Sequence, residues 1–133
     1  MPYQNKAAEN KIVAKKCMEL KAYSAGVTRA YYSAFLHIKN YLIGMQRQGH
    51  FDYNSFLKKT NSTEKEYSHG TLQAAVTNCL MANGKKLSDV YKMRVLDSLY
   101  EKRRRADYGY EDIVEPELEA SLEELDVVLS VVA

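Results

Sequence analysis

Eight consecutive residues, Arg103-Arg104-Arg105-Ala106-Asp107-Tyr108-Gly109-Tyr110, gather three guanidinium groups, a carboxylate and two phenols at the end of an apolar-periodic stretch. Guanidinium groups stay charged at any physiological pH and offer paired donors that match the oxygens of a phosphate. Phenols add flat rings tipped with a hydroxyl, suited to stacking and to hydrogen bonding at once. The run therefore fits phosphate binding or an interface. At 100° per residue Arg103 falls within about 40° of Leu99, on the stripe that also carries Leu96 and Ala106. A guanidinium on an inward stripe must be paired, or must open onto a cleft or a second subunit, because an unpaired buried charge is costly. Asp107, one helical turn on, could pair with it and hold the helix end. A structural ion pair, a phosphate site and a symmetric dimer contact all fit the run.

Acid–base chemistry needs groups that titrate near neutrality, and the chain holds three histidines, His37, His50 and His69. The pattern puts His37 on a helix flank, His50 in a polar loop and His69 where a helix begins. Of the three, His69 is the candidate for reaching the arginines. No HxxxH pair or carboxylate cluster accompanies them, so no metal site is expected. No cofactor motif appears either: the six glycines are scattered as turns and caps, without a phosphate-cradling loop. Cys17 and Cys79 stand far apart on apolar helical faces, which reads as two buried thiols in a reducing compartment.

Helices must position these groups. Val13, Cys17 and Leu20 recur at helical spacing between Lys6 and Lys21, and a longer helix from Ser24 to Gln46 places Val27, Tyr31, Ala34, Phe35, Ile38, Leu42 and Met45 on one stripe. Gly49 and the Asn61-Ser62-Thr63 cluster break the pattern between Gln48 and Ser68, leaving a loop with a short helix near Tyr53–Lys59. A third long helix runs from Thr71 to Ala82, with Leu72, Ala75, Val76, Cys79 and Leu80 inward and Asn83-Gly84 as its stop. The fourth is expected to start at Leu87 or Ser88 and to continue through Leu96 and Leu99 towards Ala106. Pro116 opens a fifth, with Leu118, Leu122, Leu125, Leu129 and Val132 on one stripe and Glu117 and Glu119 at its positive end. No alternating strand pattern competes. The 133 residues, 46% of them hydrophobic, suffice for one domain and one core. The expected fold is all-α, an up-and-down four-helix bundle with an accessory helix. With no apolar leader and no apolar run near ~20 residues, a soluble cytoplasmic protein with no membrane partner is expected.

The net charge of +2 conceals a division: residues 1–105 carry +11 and residues 106–133 carry −9. A basic body permits an anionic ligand, and the acidic tail can neutralise part of it internally. The face of the second helix opposite its core stripe carries Arg29, Tyr32, Ser33, Leu36 and Asn40. Water is a poor partner for Tyr32 and Leu36, so this face also calls for a neighbour.

Two segments carry a resemblance. Ala25-Gly26-Val27-Thr28-Arg29-Ala30-Tyr31-Tyr32-Ser33-Ala34-Phe35 resembles the second-helix signature of small prokaryotic HEPN-domain proteins, an arginine followed by Ala-Tyr-Tyr. Arg103 with Ala106-Asp107-Tyr108 resembles their later Arg-x-x-Ala-Asp-Tyr signature, and Ser68-His69-Gly70 fits between the two, so the likeness spans nearly the whole chain as one HEPN-like helical domain, residues 1–133. The resemblance implies a homodimer that brings two late-helix motifs into one cleft. It further implies RNA-acting proteins of toxin–antitoxin or phage-defence kind, many of them metal-independent ribonucleases, often partnered by a minimal nucleotidyltransferase antitoxin. Arg103 and Tyr108 then take the catalytic positions, Arg104, Arg105 and Arg29 bind RNA phosphates, Asp107 orients, and Tyr110 stands at the place of nucleotidyl transfer.

The chain departs from that family at one position. Where active members read Arg-x4-His-x-Tyr, this sequence reads Arg-x4-Tyr-x-Tyr, with Tyr108 in place of the histidine. Cleaving RNA without a metal takes a base for the 2′-hydroxyl, an acid for the leaving oxygen and cations for the phosphorane charge. Arginine supplies only the last; an unperturbed phenol, with a pKa of about 10, is the wrong form for a base at neutral pH but can serve as an acid. His69 is the remaining candidate for acid–base work. The alternative is a catalytically silent HEPN dimer that binds a partner protein or a nucleotide through the same cleft.

Overall fold

The computed structural model describes residues 2–60 and 67–133, which form seven α-helices and, among the described residues, no strand. They are α1 (Gln4–Glu19), α2 (Tyr23–Arg47), α3 (Tyr53–Lys59), α4 (His69–Ala82), α5 (Leu87–Lys92), α6 (Val95–Tyr108) and α7 (Glu115–Val132). The Asn61-Ser62-Thr63 loop expected from the sequence lies outside the described residues. No helix among those described is long and apolar enough to cross a membrane.

The expected stripes of α2 and α4 form the core: Val27, Tyr31, Ala34, Ile38 and Leu42 are buried on one, Leu72, Ala75, Val76, Cys79 and Leu80 on the other. Leu118, Leu125 and Val128 close it from α7. The 25-residue α2 is the spine, packed by α1, α4, α6 and α7. Its end is a glycine cap: Gly49 at φ 79° lets its own N–H reach Gln46 and that of His50 reach Met45, and Gly84 at φ 69° closes α4 in the same way. At their other ends, Asp52 caps α3 and Ser68 caps α4 through backbone N–H groups.

Two expectations are corrected. The single helix expected from Leu87 or Ser88 to Ala106 is two, α5 and α6, joined at Met93-Arg94 through i→i−3 bonds such as Met93 N–H to Val90 and Leu96 N–H to Met93. Val90, Met93, Leu96 and Leu99 are all buried, and they stand three apart. Over nine residues of straight α-helix such a row drifts by about 180°, whereas a 3₁₀ turn realigns residues three apart. The Met93 carbonyl also accepts from Gln73 Nε2 at 3.0 Å, which fixes the joint.

The second correction concerns α1. Val13 and Leu20 are exposed, and the buried side is Ala7, Ala14 and Cys17. Bulk is excluded there because α1 lies close on α2: a β-carbon on Gly26 would stand 2.9 Å from Cys17 Cβ and 2.7 Å from Leu118 Cδ2. This close contact is also the neighbour that the polar face of α2 required. Ser33 Oγ donates to the Ala7 carbonyl at 2.8 Å, Asn40 Oδ1 accepts from the Tyr3 N–H at 3.0 Å, and both side chains are buried.

Candidate functional site: an arginine ringed by phenols

The seam between α2 and α6 holds the sequence's densest chemistry. Arg103 points inward, its side chain 18% exposed, and Nη2 donates to Tyr32 Oη at 2.9 Å. Its guanidinium carbon lies 5.4, 5.8 and 6.0 Å from the ring centres of Tyr32, Tyr108 and Tyr31, within range of cation–π attraction. Asp107 Oδ2 stands 2.9 Å from Nε, yet that N–H has no hydrogen-bonded partner, so the contact is an ion pair without hydrogen-bond alignment. Asp107 is itself held, Oδ1 accepting from Thr28 Oγ1 at 2.9 Å. Burial works against the Arg103 charge, but Tyr32, Asp107 and Tyr108 outweigh it and raise the guanidinium pKa. The ion pair anticipated from the i, i+4 spacing is present, and Tyr32 of the preceding motif joins it.

His69, the first residue of α4, enters the same cluster from the far side of Tyr31. Its Nδ1 is 3.2 Å from Tyr31 Oη, its Nε2 is 2.9 Å from Asp97 Oδ1, and its ring stacks on Tyr100 at 3.9 Å and 8°. Burial, with Tyr100 beside it, pushes the Tyr31 phenol far above its ordinary range, so it keeps its proton and donates. In neutral His69 Nδ1 is then the acceptor and Nε2–H points to Asp97. Both imidazole nitrogens are occupied. Arg103 and His69 thus meet through Tyr31, with Arg104 lying 5.9 Å over the Tyr100 ring.

The other candidates disperse. Arg29 is exposed, its Nη1 donating to Asn10 Oδ1 at 3.2 Å. Arg105 turns to α7 and pairs with Glu117 at 2.8 Å. The acidic tail helix is thereby tied to the basic body, as it is again by Lys102 with Glu124. Tyr108 is 74% exposed, and Tyr110 stands fully in solvent beyond the end of α6. His50 is exposed. His37, half-buried, borders a cavity of about 250 Å³ lined by Gln4, Asn40 and Tyr41, away from the arginines; burial and then Lys11 lower its pKa. Cys17 and Cys79 are buried free thiols, and burial raises the pKa of Cys79.

Thr28, Asp97 and Tyr100 went unread in the sequence although one signal was available. Asp97, Tyr100, Arg104 and Asp107 are spaced 3, 4 and 3, a polar stripe along α6 beside its apolar one. Chemically the site has two zones. His69, Asp97 and Tyr31 satisfy one another and Arg103 is held by Tyr32 and Asp107, whereas Arg104 has no carboxylate partner among the described residues and lies over Tyr100, on the helix that also carries the exposed Tyr108. That rim offers charge for phosphates and rings for bases. No protein-family model, no curated protein and no solved structure matches the chain.

Proposed function

We propose that this chain is a HEPN-type RNA-acting protein of toxin–antitoxin or phage-defence kind, with a HEPN-like bundle fold, acting as a homodimer and binding single-stranded RNA on the α2–α6 seam. The observation that carries the reading is Arg103 set between Tyr32 and Tyr108, with Arg104, which has no carboxylate partner among the described residues, next to it on α6. Cationic grooves with interleaved rings suit single strands, because every base has a face to stack and every nucleotide a charge to neutralise. As a metal-independent ribonuclease it would use Arg103 and Arg104 on the phosphate and the exposed Tyr108 as acid, with His69 as the group suited to accept a proton. A minimal nucleotidyltransferase is the partner that the motif resemblance suggests, with Tyr110, fully exposed, as its target.

A second reading has its own support. Arg103 is already paired by Asp107, and His69 is engaged on both nitrogens, which favours a catalytically silent module that binds without cutting. One assay separates the two: a fluorescently labelled single-stranded RNA incubated with the dimer in EDTA, followed by anisotropy and by gel. Arg104→Ala and Arg29→Ala are each expected to weaken binding and to flatten its salt dependence by about one phosphate contact. Cleavage lost in Arg103→Ala identifies the nuclease; binding with the RNA intact identifies the silent module. A folded protein that neither binds nor cuts across varied RNAs refutes the proposal.

A further inference from the structure

A groove opens beside the seam, beyond Asp97. It encloses about 470 Å³ among residues of α3, α4 and α6, within the size range of small-ligand sites. Phe56, Ala74 and Met81 give it apolar walls, and Gly70, with nothing within 4 Å of where a β-carbon would stand, keeps its α4 side open. Asp97 is the only charged residue in the lining, although the chain carries +11 over residues 1–105. Its side chain is 63% exposed, and His69 Nε2 holds Oδ1 at 2.9 Å, while Oδ2 has no partner among the described residues. Gln73, in the same wall, donates Nε2 to the Met93 carbonyl and leaves a buried Oε1 without a donor. The groove is therefore apolar, biased towards acceptors and repellent to phosphate.

We propose that this groove is a base pocket of the RNA site and that it selects guanine, with Asp97 as the specificity-determining residue. The Watson–Crick edge of guanine sets two donors, N1–H and the N2 amine, side by side, and one carboxylate accepts both. An ionised carboxylate oxygen has room for more than one donor, so Oδ1 keeps His69. Thr77 and Asn78, also in the lining, carry donors for the guanine O6. Adenine would turn its N1 lone pair on the carboxylate and cytosine its N3, whereas uracil offers a single donor between two carbonyls. Sequence-specific reading of RNA uses unstacked bases in this way, by the hydrogen-bonding pattern of an edge. Asp97, Tyr100 and Arg104 lie within about 60° on one side of α6, and the seven residues from Asp97 to Arg104 rise about 10 Å. One strand can thus lay a phosphate on Arg104 and a neighbouring base in the groove. The inference rests on the seam's binding RNA.

Anisotropy of labelled uridine strands in EDTA, each carrying one central guanosine, inosine, adenosine or cytidine, tests it on the whole chain. The guanosine strand should bind about tenfold more tightly than the adenosine strand, with inosine, which lacks the N2 amine, between them. Asp97→Asn should remove that preference and bind the adenosine strand no more weakly than before, since the lost contacts belong to one base. Gly70→Leu fills the groove without touching the His69–Asp97 contact, and it too should bind all four strands alike, with its fold checked by circular dichroism. Equal binding of the four strands by the parent protein, or a preference for another base, overturns the guanine pocket and leaves the RNA reading standing. Binding to none of them overturns both. A loss that Asp97→Asn spreads evenly over all strands also overturns the pocket, because Asp97 would then act only by ordering His69.

Discussion

Asp107 competes with any phosphate for Arg103, and Asp107→Asn therefore separates a ligand site from a structural pair. The carboxylate lies 2.9 Å from Arg103 Nε with no aligned hydrogen bond, and its other oxygen accepts from Thr28. Asparagine keeps an oxygen for Thr28 and loses only the charge. A phosphate on Arg103 would sit about 6 Å from that charge, where the repulsion is about 0.7 kcal/mol at the dielectric of water and about 3 kcal/mol at an effective dielectric of 20. The Asp107 side chain is 29% exposed, so the lower part of that range applies, and affinity should rise by about three- to tenfold. The stability change is small: a partly exposed pair contributes about 0.2–1 kcal/mol. Part of that is returned, because Asp107 sits in the last turn of α6, where the helix dipole disfavours an anion. Anisotropy with single-stranded RNA at two salt concentrations, alongside urea unfolding, reads both quantities. Unchanged or weaker RNA binding together with a clear loss of stability would show that the pair only holds the helix end, and the phosphate reading of Arg103 would fall.

Two further outcomes follow from packing and from burial. Gly26→Ala would place its β-carbon under 3.0 Å from Leu118 and Cys17, so overpacking of about 1–3 kcal/mol should exceed the roughly 1 kcal/mol gained in helix propensity. Gly70→Ala, with nothing within 4 Å, should instead stabilise by a few tenths to about 1 kcal/mol; two urea midpoints moving in the same direction would contradict the close approach of α1 to α2. His37 has its pKa lowered in the fold, by burial first and Lys11 second, so the folded state prefers the neutral ring. Its stabilising contribution is complete above the unfolded pKa of about 6.5 and is lost as pH falls from there towards the folded value. His37→Gln should therefore lose less stability than the parent between pH 7.5 and 5.5, and an equal loss in both proteins would show His37 to be an ordinary exposed histidine.

The sequence disclosed those features whose cause is local. The stripes of α2, α4 and α7 follow from a 3.6-residue period, and the inward turn of Arg103 follows from its phase with Leu99. The break at Met93 was encoded too, in apolar residues spaced three apart, but that spacing looks helical until the drift is summed over several turns. On α1 hydropathy pointed the wrong way. It favours large residues such as Val13 and Leu20, whereas the close contact with Gly26 selects Ala7, Ala14 and Cys17. The histidine network was beyond local reasoning altogether: His69 finds Tyr31 across 38 residues and Asp97 across 28. Nothing in the residues between them specifies that meeting, which depends on how α4 and α6 pack around the spine.

That packing gives the site its functional character. A chain of contacts runs from Asp97 through His69 and Tyr31 to the Arg103 ring system and on to Asp107 and Thr28, with a carboxylate towards each end and cation-binding groups between. Tyr31, buried and held protonated, can only donate to His69, so the imidazole orientation is fixed before any ligand arrives. His69 and Tyr31, so engaged, are poor at seizing a ligand but good at holding neighbours in place, and side chains ordered in advance cost less to immobilise on binding. Arg104 stacks on Tyr100, and Tyr108 packs over Arg103; both rest on this frame while keeping a face to solvent. Recognition accordingly belongs to the rim and rigidity to the interior. Substitutions at Arg104 or Arg29 should therefore act on affinity, and those at Tyr31 or His69 on the order of the whole seam.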